Sequence, residues 1–192
     1  FLKLAISEGF KVEGLDISDS AVENSQHIVP GKVKLGTLNS SSGKELKDVI
    51  VALNVIEHMT NPDVFINESY RLLKTNGVLF IETPEKNSLY HYFMFFLNKI
   101  YPNNSIGIGM YPGGHIYKFG KKAWTKILTR HGFRILGTKQ KSSPLRELVY
   151  KKRNLSPFVK LGIVMIGILA RLVYLNNRVM VIAQVDKKNK KE

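Results

Sequence analysis

The chain contains no cysteine. Its absence excludes a disulfide framework, a cysteine-ligated zinc site and a thiol nucleophile. Long hydrophobic runs are also missing. The most apolar stretch, Leu161 to Ala170, spans ten residues between Lys160 and Arg171, whereas a bilayer-spanning helix needs about 20. A spanning helix is therefore excluded there. No charged leader and cleavage site precede Phe1-Leu2-Lys3-Leu4-Ala5-Ile6, so no signal peptide is expected. That opening reads as the middle of a helix, and the sequence is expected to continue upstream. Acidic residues are scarce in the second half. Residues 115–192 hold nineteen Lys/Arg against three Asp/Glu, while residues 1–114 hold ten against twelve. Such asymmetry points to an anionic partner for the C-terminal part, or to a solvated basic surface with a Lys-rich tail.

With 192 residues, 44% hydrophobic and 23% charged, the chain can form one α/β domain with a sizeable core. A single domain over 1–186 with a basic tail at 187–192 is expected. Residues 2–8 read as a helix closed by Gly9. Phe10 to Ile17 reads as a strand ending in Asp16, and Ser18 or Asp19 caps a helix over 19–28. Val33 to Gly36 is a short strand, and 39–43 a polar loop. Asp48 to Leu53 is nearly all apolar, the pattern of a parallel strand covered on both faces. Asn61-Pro62-Asp63 opens a helix to about Lys74, which Thr75-Asn76-Gly77 ends. A buried strand, Val78 to Ile81, stops at Thr83-Pro84. Residues 121–131 form a helix, 133–136 a strand and 178–185 a last strand. This alternation predicts a doubly wound sheet, whose ligands bind beyond the carboxyl ends of the strands.

Asp16, Thr37, Asn54 and Glu82-Thr83 all stand just after strands. An acidic residue ending the second strand of a nucleotide-binding unit accepts ribose hydroxyls, about 20 residues after its glycine loop. Counting back from Asp16 puts that loop before Phe1. Alternatively, Asp16 simply ends a strand beside a helix cap. In Leu53-Asn54-Val55-Ile56-Glu57-His58-Met59-Thr60-Asn61-Pro62, adjacent Glu57 and His58 can act as general acid or base, or can cap the next helix.

The stretch from Asp48 to Pro84 resembles the class I methyltransferases. It combines Val-Ile-Glu-His-Met-Thr-Asn-Pro, a helix ending Leu72-Leu73-Lys74-Thr75-Asn76-Gly77, and a strand ending Glu82-Thr83-Pro84. It is most similar to the branch of ubiquinone-biosynthesis O-methyltransferases. Gly14-Leu15-Asp16-Ile17-Ser18 resembles that family's second-strand motif. His115-Ile116-Tyr117-Lys118-Phe119, Leu128 and Gly132-Phe133 resemble its later His-x-x-x-Phe stretch.

The resemblance implies a Rossmann-like seven-stranded sheet in the order 3-2-1-4-5-7-6, with strand 7 antiparallel and the first strand missing from this chain. It also implies S-adenosylmethionine as cofactor. Asp16 would bind the ribose and Ile17 pack on the adenine. Thr37 and Leu38 would flank the adenine edge, with Asn54 and Val55 under the methionine part. Glu57, His58 and His115 would be catalytic, a histidine taking the acceptor's proton and Glu57 orienting it. Some relatives hold a metal beside the Glu-His pair using a further Glu; here that position is Asn54. An α-helical i, i+3, i+4 spacing would bring Asn54, Glu57 and His58 together, but no metal is expected.

Apolar helical insertions are expected at 88–101 and 155–175, the second contacting a membrane peripherally through its basic flanks or covering the sheet edge or a dimer interface. The implied function is methylation, at oxygen, of a small or lipid-like acceptor by a cytoplasmic, membrane-peripheral enzyme. The alternatives are a nucleic-acid methyltransferase, disfavoured for want of a base-flipping motif, and a non-catalytic member of the fold that binds membranes or partners.

Overall fold

The computed structural model describes residues 1–40, 46–86, 88–100, 119–142, 157–172 and 176–186. The chain divides into two compact units, Phe1–Glu45 and Leu46–Glu192.

In the first unit, helix α1 (Leu2–Ser7) closes at Gly9, whose φ of +85° is the left-handed value a glycine supplies without strain. Strands β1 (Gly14–Asp16) and β2 (Val33–Leu35) pair in parallel, Asp16 opposite Leu35. The strand expected from Phe10 is shorter than the apolar pattern suggested and begins at Gly14. At Gly14 the packing is close: a Cβ there would stand 3.0 Å from both Leu2 Cδ1 and Val33 Cγ2. Helix α2 (Asp19–Gln26) starts at Ser18, whose Oγ accepts the Ala21 N–H.

The second unit is a four-stranded mixed sheet in the order β3-β4-β6-β5, formed by β3 (Lys47–Leu53), β4 (Leu73–Pro84), β5 (Phe133–Lys141) and β6 (Arg178–Val185). β3 and β4 are parallel, and β6 runs antiparallel to both of its neighbours. The sheet is thus mixed, with parallel and antiparallel strands, as a methyltransferase-like α/β fold requires.

Register decides which side chains share a face. Ile50, Leu79 and Ala183 align, as do Ala52, Ile81 and Val181. All six are buried. Onto this unit's core α3 (Pro62–Leu72) contributes Phe65, Ile66 and Leu72, and α5 (Lys121–Arg130) contributes Trp124 and Leu128. Burying such aliphatic and aromatic groups is the main stabilising term. The opposite face is different. Val49, Leu53 and Ile182 remain exposed there, so β3 is not covered on both faces as its apolar run suggested.

Two boundaries also differ. α3 ends at Leu72 rather than Lys74, and β4 extends from Leu73 through Thr83-Pro84. The cause is a bulge. Lys47 pairs with Leu73, but Val49 pairs with Val78, so the chain between Leu73 and Val78 loops out. Asn76 takes a φ of +67° in that excursion, and its carbonyl accepts Gln184 Nε2 at 3.0 Å. β5 continues to Lys141 because β6 supplies a partner along its whole length.

Helices α4 (Leu89–Ile100) and α6 (Pro157–Leu172) lie where apolar helices were expected. No helix among the described residues is long and apolar enough to cross a membrane.

The α5–β5 turn packs closely against α3 at Gly132. Gly132 has a φ of +84°, and a Cβ there would sit 2.8 Å from Tyr70 Cε2. Tyr70 is held edge-on to Phe133, ring centroids 5.5 Å apart. We expect Gly132→Ala to lower stability by about 1–3 kcal/mol, read as a reduced midpoint in urea unfolding. An unchanged midpoint would refute this account of the turn.

Candidate functional site

The carboxyl edge of the β1–β2 pair gathers four residues singled out by sequence. The Gly36 N–H donates to the Asp16 carbonyl at 2.9 Å, which sets Thr37 beside the end of β1. Leu38 opens a 3₁₀ turn, Leu38–Ser40. Asp16 itself is exposed, but its carboxylate is not free to rotate. Oδ1 accepts the Ser18 N–H at 2.9 Å, the ordinary Asx-turn closure. The other oxygen has no hydrogen-bond partner among the described residues and is available to a hydroxyl pair. Ile17 follows with 78% of its surface exposed. A large aliphatic side chain left bare beside an oriented carboxylate sets an apolar surface next to a hydrogen-bond acceptor.

In the second unit the site lies beyond the carboxyl ends of β3 and β4. Leu53 pairs with Glu82, and the Asn54 N–H donates to the Glu82 carbonyl at 2.8 Å. Asn54 has a φ of +52°, the left-handed region that asparagine tolerates better than most residues. The chain therefore turns sharply off the sheet into a 3₁₀ turn, Ile56–His58.

That turn has three residues per turn, so positions 55 and 58 superpose while 56 and 57 face elsewhere. Val55 and His58 are exposed; Ile56 and Glu57 are buried. An α-helical set of Asn54, Glu57 and His58 is thus not formed, and Glu57 does not orient His58. Instead the Thr83 Oγ1–H donates to Glu57 Oε2 at 3.1 Å, and Oε1 has no partner among the described residues although Glu57 is only 1% exposed. His115 lies outside the described residues.

Sequence alone singled out Glu82 at this strand end but not Arg178 or Glu85 beside it. Arg178 Nη1 donates to Glu82 Oε1 at 2.6 Å. Glu85, also buried, accepts the Lys121 N–H at 3.3 Å at the start of α5, and its own N–H donates to the Asn177 carbonyl. The signal was present in the acidic pair flanking Thr83-Pro84, which lies just past a buried strand.

The family model described as a methyltransferase domain matches residues 1–137. The chain belongs to the methyltransferase domain family. The likeness first drawn from the Glu-His and Thr-Pro motifs is borne out at that level. Among curated relatives, the chain is 36% identical over 83 residues to a ubiquinone biosynthesis O-methyltransferase of Pelagibacter ubique, covering 41% of this chain and 35% of that protein. It is 43% identical over 53 residues to the mitochondrial ubiquinone biosynthesis O-methyltransferase of Rattus norvegicus, covering 28% of this chain and 15% of that one. The matched stretches thus span well under half of those relatives. Among solved structures, a SAM-dependent methyltransferase from Archaeoglobus fulgidus superposes with a TM-score of 0.59 at 21% identity, over 96% of this chain and 80% of that chain. At that identity the likeness establishes the fold, and this methyltransferase domain is accordingly an α/β member with a mixed sheet.

The Glu57–Thr83 contact lends itself to a direct test. Removing the Thr83 hydroxyl, the one donor to this buried carboxylate among the described residues, leaves it uncompensated. We expect Thr83→Val to destabilise the domain by about 1–3 kcal/mol in denaturant unfolding, with most of the loss recovered when Glu57→Leu is added. Additive losses in the double variant would show that the two groups do not interact.

Proposed function

We propose that this domain is an S-adenosylmethionine-dependent methyltransferase acting at an oxygen of a small or lipid-like acceptor. The observation that carries the reading is Asp16, an exposed carboxylate fixed by Ser18 at a strand's carboxyl end with bare Ile17 beside it. The family match supports the reaction class, and the similarity to two ubiquinone biosynthesis O-methyltransferases supports the choice of oxygen.

In the first unit Asp16 accepts the ribose hydroxyls, Ile17 packs on the adenine ring, and Thr37 and Leu38 line its edge. In the second unit Asn54 and Val55 support the methionine portion, and the left-handed turn at Asn54 is what lifts this backbone clear of the sheet. When bound, S-adenosylmethionine supplies a methyl group already activated on a sulfonium. The protein therefore contributes mainly alignment, which accounts for much of the rate in such transfers.

An acceptor hydroxyl must also lose its proton. His58, exposed on the turn beyond β3, takes that proton as general base. Glu57 acts from below. Held by Thr83, it anchors the turn from inside the core and does not itself contact the proton that His58 takes.

Two substitutions in the full-length protein separate these roles. Asp16→Asn should weaken cofactor binding by about 10- to 100-fold, the value of a hydrogen bond to a charged group, measured by calorimetric titration. His58→Gln should leave that affinity unchanged and lower kcat by about 100-fold or more. Unaltered cofactor affinity in Asp16→Asn would overturn the assignment of the ribose site, and undiminished kcat in His58→Gln the assignment of the base.

A further inference from the structure

Helix α6 has two apolar faces where a surface helix ordinarily has one. At 3.6 residues per turn, Ile163, Gly167 and Ala170 fall on one side, and these are buried. Phe158, Leu161, Met165, Ile168, Leu169 and Leu172 fall on the opposite side, and these are exposed, Phe158 to 86%. Helix α4 repeats the pattern. Tyr92, Phe95 and Phe96 are exposed at i, i+3 and i+4, and exposed Lys99 continues the same stripe. The two helices meet where Gly162 leaves room for Phe93, whose Cζ would lie 3.7 Å from a Cβ at that glycine. Together they present more large apolar side chains than isolated surface exposures account for.

We propose that α4 and α6 form a docking surface for a bilayer containing anionic lipid. The argument for this occupant is charge. Residues 115–192 carry nineteen basic and three acidic side chains. Lys160 and Arg171 share one flank of the exposed stripe of α6, separated by three helical turns, and Lys99 closes the stripe of α4. Aliphatic side chains that enter the headgroup boundary, with lysine and arginine at their margin, are the two components of interfacial helix binding. A second copy of the chain fits worse. A two-fold interface sets a patch against itself, which would face the basic set Lys99, Lys160 and Arg171 with a second basic set. A polynucleotide would be met by polar and stacking groups, not by Leu161, Met165 and Ile168. The surface is independent of the methyl-transfer reading, since none of its residues belongs to the proposed site.

The test is co-flotation of the full-length protein with vesicles of phosphatidylcholine alone, and of equal parts phosphatidylcholine and phosphatidylglycerol. Binding is expected to the mixed vesicles, weaker binding to the neutral ones, and release as salt shortens the Debye length. Replacing Phe158, Leu161 and Met165 by serine should reduce partitioning by about 100-fold, with an unchanged thermal unfolding profile because all three are exposed. Lys99→Gln with Lys160→Gln should abolish only the preference for anionic vesicles. The proposal is overturned if the wild-type protein floats with neither vesicle, or if the triple-serine variant binds as well as wild type. It is overturned in favour of self-association if sedimentation shows a dimer that the serine variant loses while neither protein binds lipid.

Discussion

Parallel pairing of β3 with β4 is the constraint on which the second unit depends. It brings the two carboxyl ends level, Leu53 against Glu82, and one further hydrogen bond from Asn54 to Glu82 ends the ladder. Every polar residue of the candidate site in that unit is placed by this alignment. Asn54 must leave the sheet there, Glu57 arrives above Thr83, and Arg178 at the start of antiparallel β6 meets Glu82. A parallel pair has no hairpin to join it, so α3 must carry the chain back across the sheet. That helix is specified locally. Asn61 accepts the Asp63 N–H, and Pro62 occupies a first-turn position where its missing N–H costs nothing.

The buried carboxylate of Glu57 shows how the fold and the site constrain one another. Desolvating a carboxylate with one oxygen unpartnered is unfavourable. The structure tolerates it because Ile56 anchors the same turn in the core and Thr83 satisfies the other oxygen. The carboxylate therefore stands as a polar group in an otherwise apolar layer, at the strand ends. The Glu82–Arg178 pair beside it is partly buried, and it ties β4 to β6 at the same edge.

Much of this was legible in the residues. The Glu-His motif, the Thr-Pro strand end and the Gly-Leu-Asp-Ile-Ser segment around Asp16 led to the family. What misled was local pattern taken as global environment. The continuous apolar run of β3 suggested burial on both faces, yet Val49 and Leu53 are exposed. Thr75-Asn76-Gly77 suggested a helix end, yet those residues bulge out of a strand. In each case the composition was compatible with either outcome, and strand register chose between them.

The sequence by itself determined element types, the residues that cap helices, and the strand-end positions of Asp16, Asn54 and Glu57, because these depend on neighbours a few positions away. The tertiary structure alone decided that Glu57 turns inward to Thr83 while His58 faces out. It also decided that α6 buries one apolar face and leaves the other bare. Both outcomes follow from contacts between segments far apart in the chain, 26 positions for Glu57 and Thr83, and no local periodicity encodes which of two chemically similar faces the rest of the molecule will cover.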